Sequence, residues 1–382
     1  MLRKTVFWVH LCVGVAAGLV ILMMSVTGVL LTYERQVLNW ADRNLVSEPA
    51  EGDAPLGLTA LLEAVERQEP EFSPSSVTLS ADPQAPVSMR AGRGDSRMLD
   101  PYTGELLMQE GSRLHAFFDA VTGWHRWFNV EGENRDVARA ITGASNLGFL
   151  FLVLSGIYLW LPPVYNRVAF RTRYFFNPKA VAGKARDYNW HHVFGIWSVV
   201  PLVVIVASAT VFYYGWANEI VYRSFGEEPP VRGDTPAREA PTAGDTAHAG
   251  GRLSLDELTE RAAAQVPDWR TLTLTLPGAT DEVVRYSLDR GTGGQPQHRY
   301  DVTLDAGSAE VIATERFAGT PARRTRSMLR FLHTGEALGV AGQTIAGLVS
   351  LTSSIMVWTG LALAWRRLVR PLLARRLVLR RS

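Results

Sequence analysis

Cysteine is almost absent from this chain of 382 residues, in which Cys12 is the only one. A single thiol excludes an intramolecular disulfide, a four-cysteine iron–sulfur cluster and the paired cysteines of common structural zinc sites. Covalent haem attachment is excluded as well, because the sequence has no Cys-x-x-Cys-His motif. Any redox cofactor must therefore be held by other ligands.

Motifs for nucleotide and zinc chemistry are also missing. No Gly-x-Gly-x-x-Gly motif follows a predicted strand, and no His-Glu-x-x-His motif occurs. These absences argue against a dinucleotide-binding domain and against a zinc peptidase. Electrons for a redox reaction would then come from a separate donor: a flavoprotein, reduced flavin or a quinol.

Long apolar runs are what the sequence has instead. Four of them, at 5–33, 139–162, 190–216 and 338–365, are long enough for a helix to cross a bilayer, which takes about 20 residues. The first is longer than the apolar part of a secretion signal, and we expect it to be retained as a helix. The sequence predicts a multi-pass membrane protein.

The charges predict how the chain is oriented. The loop at 163–189 has six basic residues against one acid, and the tail at 366–382 has seven arginines and no acid. By the positive-inside rule both chain ends and this loop are cytoplasmic. The basic tail is thus a topology signal, and no nucleic-acid partner is expected. The net acidic segments 34–137 and 217–333 then lie outside the cytoplasm, which is the periplasm if the host is Gram-negative.

These two outer segments share a pattern of an amphipathic helix, alternating β residues and a strand–turn–strand ending. The turns begin at Asp100 and at Asp305. A stretch rich in Pro, Ala and Gly, at 226–252, is predicted to be a flexible linker. The predicted fold is a mainly α membrane protein with two external α+β domains, inserted between helices 1 and 2 and between helices 3 and 4.

Histidines recur near the ends of the apolar runs. His10 and His191 each precede a glycine by four residues, Gly14 and Gly195, at the cytoplasmic starts of runs one and three. Two further histidines, His125 and His333, precede runs two and four on the external side. One such histidine is as easily explained by tolerance for polar groups at the headgroup level, but all four helices supply one.

Two histidines near each side of the membrane could hold one haem at each side. Imidazoles from facing helices can ligate one haem iron from both sides, and a glycine one turn further along the same face leaves room for a flat macrocycle. Two haems b would conduct electrons across the bilayer. His192 is the alternate to His191 and His115 is the alternate to His125; a zinc site is the less favoured reading.

Several stretches resemble the PepSY-associated transmembrane family, among them "FWVHLCVG", "WHRWF", "NWHHVFGIW" and "LHTGEALGVAGQTIAGLVSL". The outer segments resemble PepSY domains, and the whole chain is most similar to the FoxB-type inner-membrane siderophore reductases. The resemblance implies haem ligation by the four histidines and reduction of ferric siderophores in the periplasm. The family pattern has a residue other than histidine where His192 stands, which favours His191 as the ligand; His192 is a departure from the pattern and stays the alternate.

Two other functions compete with this hypothesis. The first is a non-redox membrane protein whose PepSY-like domains bind or inhibit a peptidase. The second is a siderophore or haem transporter, for which broken helices at the membrane midplane would be typical. Pro201, inside run three, is the sequence feature that favours a break.

Overall fold

The structure is a computed structural model that describes residues 1–48, 53–92, 94–107, 113–162, 164, 166–230 and 253–372. Most of the predicted linker at 226–252 and the end of the basic tail lie outside the described residues. The chain forms two compact units. The membrane unit comprises Met1–Tyr33, Phe117–Ser224 and Leu332–Ser382, and the sheet unit comprises Glu34–Ala116 and Phe225–Phe331.

Helices make up most of the chain. In order they are α1 Leu2–Leu30, α2 Glu34–Arg43, α3 Leu58–Gln68, α4 Arg113–Trp127, α5 Arg135–Trp160, α6 Arg167–Tyr174, α7 Gly183–Tyr213, α8 Gly215–Arg223, α9 Leu255–Ala264, α10 Pro321–Thr334 and α11 Gly339–Leu368. The strands are β1 Ser76–Ser80, β2 Val87–Ala91, β3 Asp95–Leu99, β4 Thr271–Thr275, β5 Val283–Asp289, β6 Arg299–Asp305 and β7 Val311–Arg316.

Helices α1, α5, α7 and α11 are long and apolar enough to cross a membrane, which confirms the four predicted spans. The main difference in bounds is at α7, which begins at Gly183 rather than at 190. Its first two turns contain Lys184, Ala185 and Arg186, which favour helix although they are not all apolar. His191 therefore lies well inside the helix. The helix also runs unbroken through Pro201.

The two outer segments form one antiparallel sheet of seven strands, in the order β3-β2-β1-β4-β5-β6-β7. The sequence predicts two separate domains here, whereas β1 of the first segment pairs with β4 of the second along its whole length, from Ser76–Thr275 to Ser80–Thr271. Alone, β1 and β4 would each be an exposed edge with unpaired backbone groups. Their pairing removes both edges.

The core of the sheet unit likewise takes side chains from both segments. Helices α3 and α9 contribute Leu61 and Leu258, which belong to one buried cluster with side chains of the strands. Alternate strand residues are buried, as the period of two in β4 requires.

The two predicted turns are built alike. The Asp100 carboxylate accepts hydrogen bonds from the amides of Tyr102 and Thr103, and the Asp305 carboxylate accepts from the amides of Gly307 and Ser308. Burial opposes the charge on Asp100, but the amide donors outweigh it and lower the pKa of this carboxyl. The internal repeat seen in the sequence thus extends to its turn chemistry.

Substitution Leu274→Ala tests whether the two halves unfold together. Leu274 is buried opposite Val77 across the β1–β4 boundary, and truncating such a residue costs about 2–5 kcal/mol. We expect hydrogen exchange of the full-length protein to show faster exchange in β1–β3 as well as in β4–β7. Ile312→Ala is the control, because Ile312 on β7 is exposed. Loss of protection in β4–β7 alone would mean that the halves are independent.

Candidate functional site

Two of the four histidines line one cavity of the membrane unit. His10 lies on α1 and His191 on α7, and both border a cavity of about 1190 Å³ between α1, α5, α7 and α11. We call these two residues the first pair. The predicted packing glycines, Gly14 and Gly195, border the same cavity.

The ring of His10 is held by a hydroxyl of the neighbouring helix. Its Nδ1 lies 2.8 Å from Oγ of Ser155 on α5. The Ser155 hydroxyl can donate its own hydrogen to the carbonyl of Phe151, at 2.6 Å, and its oxygen then accepts from His10. In this arrangement His10 carries its proton on Nδ1 and, when neutral, has a lone pair on Nε2.

The ring of His191 is held by α11 in a related way. Its Nδ1 lies 3.1 Å from the Met356 carbonyl oxygen and 3.2 Å from Oγ1 of Thr359. A carbonyl oxygen can only accept, so Nδ1 again carries the proton.

The other two histidines, His125 on α4 and His333 on α10, form the second pair. Nδ1 of His125 lies 2.9 Å from Oγ1 of Thr27, and that hydroxyl can donate to the Met23 carbonyl, at 2.7 Å. Nδ1 of His333 lies 2.8 Å from the Ile205 carbonyl oxygen. Both rings therefore have the same tautomer as those of the first pair.

All four histidines thus present an unprotonated Nε2. Among the described residues, no hydrogen bond is made by Nε2 of any of them, although the rings are at least partly buried. This tautomer is assigned from the hydrogen-bond partners. It is the form in which an imidazole binds a metal while its other nitrogen donates to a supporting acceptor.

The rings of the second pair are spaced as two ligands of one ion. The centroids of His125 and His333 are 6.4 Å apart. A metal bound about 2 Å from each ring nitrogen would separate two centroids by about 6 Å. The same 6.4 Å separates His191 from His192, but there it follows from adjacency on one helix, where neighbours point about 100° apart.

The alternates differ from the four in how their rings are held. Nδ1 of His192 lies 2.8 Å from the Tyr188 carbonyl of its own helix, the ring packs on Tyr188 with centroids 4.1 Å apart, and His192 borders the same cavity as His191. His115 uses Nε2, the nitrogen that a ligand would need, to contact Oδ1 of Asp42 at 2.8 Å. The geometry therefore favours His125 over His115, whereas His192 stays an alternate to His191.

Small residues stand beside the supporting hydroxyls, a pattern not expected from the sequence. A Cβ on Gly360 would come within a tight 3.3 Å of Cε1 of His191, so glycine there makes room for the ring. A Cβ on Gly156 would lie 3.7 Å from Cε1 of His10, an ordinary contact, and the nearest atoms to a Cβ on Gly14 or Gly195, at 3.8 and 3.6 Å, belong to other residues than the histidines. The pattern is a hydroxyl residue followed by a small one, in Ser155-Gly156, Thr359-Gly360, Thr27-Gly28 and Ser208-Ala209.

The spacing between the two pairs is the signal that would have revealed this pattern. Thr27 follows His10 by seventeen residues on α1, and Ser208, whose Oγ lies 3.3 Å from Nδ1 of His333, follows His191 by seventeen on α7. Seventeen residues of helix are about 25 Å long. The two pairs are therefore separated by most of the thickness of a bilayer core, which is about 30 Å.

The charged side chains that line the cavity of the first pair are all basic. Its lining, which lies wholly in the described part of the chain, has no acidic residue but six basic ones: Arg3, Lys4, Arg173, Lys184, Arg366 and Arg367. One of them, Arg366, pairs with the fully buried Asp187, which Arg186 also contacts. The apolar walls and basic residues suit a ligand that is mostly apolar and carries acidic groups.

These donor sets fit haem better than a bare metal ion. Within the described ranges, no group of three or more His, Cys, Asp or Glu side chains could hold a metal, whereas a zinc site needs at least three such ligands. A porphyrin brings four nitrogens of its own and requires only axial ligands. Two neutral imidazoles per site match that requirement.

Four membrane-length helices and a separate antiparallel sheet unit define a multi-pass membrane protein with a large domain inserted between its helices. The family model of the PepSY-associated TM region matches residues 7–367, and the chain belongs to that family. The predicted family is thereby confirmed. No protein of curated function matches the sequence.

Proposed function

We propose that this protein is a di-haem reductase of the bacterial inner membrane that carries electrons to ferric siderophores in the periplasm. The observation that carries the proposal is the arrangement of four histidines. They come from four helices, all with Nε2 unprotonated, in two pairs about 25 Å apart along the helices.

In this proposal His10 and His191 are the axial ligands of the cytoplasmic haem b, and His125 and His333 are those of the periplasmic one. When bound, each haem supplies a one-electron carrier. The supporting hydroxyls and carbonyls keep Nδ1 protonated, so that Nε2 stays available as a ligand. The membrane helices exclude water, and the basic residues of the first cavity offset the negative charge of acidic groups on the cofactor.

The proposed reaction is the transfer of one electron to the Fe(III) of a siderophore. Iron(III) is a harder cation than iron(II) and is bound more tightly by the oxygen ligands of siderophores, so reduction weakens binding and releases Fe(II). The electron leaves a cytoplasmic flavoprotein, reduced flavin or a quinol, which is oxidised in turn. No acid–base residue is required, and the family resemblance noted in the sequence supports this substrate class.

Neither competing function gains support from the geometry. Transport would favour a broken helix near the midplane, but α7 continues through Pro201. A peptidase-binding membrane protein would have no need for four buried histidines with the same tautomer. Both hypotheses predict a colourless purified protein, or one that is inert towards ferric siderophores.

The reaction can be followed in purified protein. After reduction with a stoichiometric amount of dithionite under argon, addition of ferrioxamine B should reoxidise the haem bands and produce Fe(II), trapped by ferrozine. The iron-free siderophore is the control and should leave the haem reduced. Haem that stays reduced with several ferric siderophores would rule out this substrate class.

Single substitutions test the four ligands. We expect His10→Ala, His191→Ala, His125→Ala and His333→Ala each to lower the haem-to-protein ratio by about half, because each removes one axial ligand of one haem. The matched controls are His192→Ala and His115→Ala, which should keep the wild-type ratio. A His10 or His333 variant that retains both haems would remove that residue from the ligand set.

A further inference from the structure

The supporting contacts differ among the four histidines. His191 and His333 both reach a backbone carbonyl, that of Met356 and that of Ile205. Among the described residues, Nδ1 of His10 hydrogen-bonds the Ser155 hydroxyl alone, whereas His125 is held by the Thr27 hydroxyl and also by the backbone of Met24. His10 thus depends on a single side chain, and His125 shares its support between a side chain and the backbone.

We infer that Ser155 and Thr27 are positioning residues that set the reduction potentials of the two haems separately, Ser155 for the cytoplasmic haem and Thr27 for the periplasmic one. The inference rests on the proposed function, since it needs haem at both pairs. Neither residue would contact the iron. Each would act through the histidine whose Nδ1–H it accepts.

Both hydroxyls are fixed in direction by a second bond. Ser155 donates to the Phe151 carbonyl at 2.6 Å, and Thr27 donates to the Met23 carbonyl at 2.7 Å, four residues earlier on the same helix in each case. A hydroxyl that donates its hydrogen to its own helix in this way offers its oxygen to the imidazole. Its oxygen therefore remains an acceptor, and the histidine keeps the tautomer in which Nε2 can bind iron.

The acceptor also changes the electronic character of the imidazole. A hydrogen bond from Nδ1–H makes Nε2 a more basic ligand, and a more basic ligand favours Fe(III) over Fe(II). Loss of the hydroxyl should therefore raise the reduction potential of that haem. Because Ser155 and Thr27 contact different histidines in pairs about 25 Å apart, each substitution should act on one haem only.

The test is an optical redox titration of the purified full-length protein with both haems bound. We expect Ser155→Ala to raise the potential of one haem by a factor of about ten in its one-electron equilibrium constant, which is about 59 mV. Thr27→Val should raise the potential of the other haem by less, because the Met24 backbone still supports His125. The two variants should change different haems. Ser155→Thr and Thr27→Ser, which keep the hydroxyl, should restore the wild-type potential.

Ser198→Ala is the matched control. Ser198 is a buried serine of α7 that bonds the carbonyl four residues earlier, at 2.6 Å, and contacts none of the histidines. Its loss should leave both potentials unchanged. If Ser155→Ala loses a haem instead, Ser155→Thr should regain it with the wild-type potential.

Three results would overturn the inference: unchanged potentials in Ser155→Ala and Thr27→Val, a shift of both haems together in either variant, or no recovery with the hydroxyl-retaining variants. Failure of the proposed function looks different, since the wild-type protein would then bind no haem, or would bind haem that ferric siderophores do not reoxidise.

Discussion

Everything proposed for this molecule depends on how a membrane helix bundle holds a neutral imidazole. A buried N–H without an acceptor is costly in hydrocarbon, where no water can replace the missing partner. All four histidines meet this constraint by directing Nδ1–H to an oxygen on another membrane helix. The consequence is chemical as well as structural, because it leaves Nε2 as the free coordinating atom on every ring.

The internal repeat accounts for the recurrence of this contact between a histidine Nδ1–H and an oxygen of a neighbouring helix. Helices α1 and α7 each carry a histidine of the first pair and, seventeen residues later, a hydroxyl beside a histidine of the second pair. Each of these two helices thus carries a histidine of one pair and a supporting hydroxyl of the other. The sheet unit also consists of two similar halves, which meet along β1 and β4 in one sheet. Neither half then exposes the edge that it would have alone.

Structural features that depend on neighbouring residues can be predicted from the sequence, whereas contacts between distant parts of the chain cannot. Hydropathy and length identified the four spans, and the repeated turns at Asp100 and Asp305 were predicted from their residues. The pairing of β1 with β4 joins residues almost 200 positions apart. No local pattern indicates which of several similar strands will meet.

The same limit applies to the candidate site. Polar residues are rare beside membrane spans, and the histidines therefore stand out in the sequence. Ser155 and Thr27 do not stand out, because an isolated hydroxyl in an apolar helix can donate to the carbonyl four residues earlier on its own helix. Both residues do make that bond. Only the packing of α5 against α1, and of α4 against α1, shows that their oxygens also accept from a histidine. Likewise spacing singles out Gly14 and Gly195, whereas the glycine that approaches a histidine ring most closely among the described residues is Gly360, beside His191.

The central claim is that each pair of histidines ligates one haem iron from both sides. Electron paramagnetic resonance of the oxidised purified protein, combined with near-infrared magnetic circular dichroism, tests it most directly. The account predicts two low-spin ferric haems per chain, both with the charge-transfer band of bis-imidazole ligation. High-spin five-coordinate haem, a single haem per chain, or no haem signal at all would contradict it.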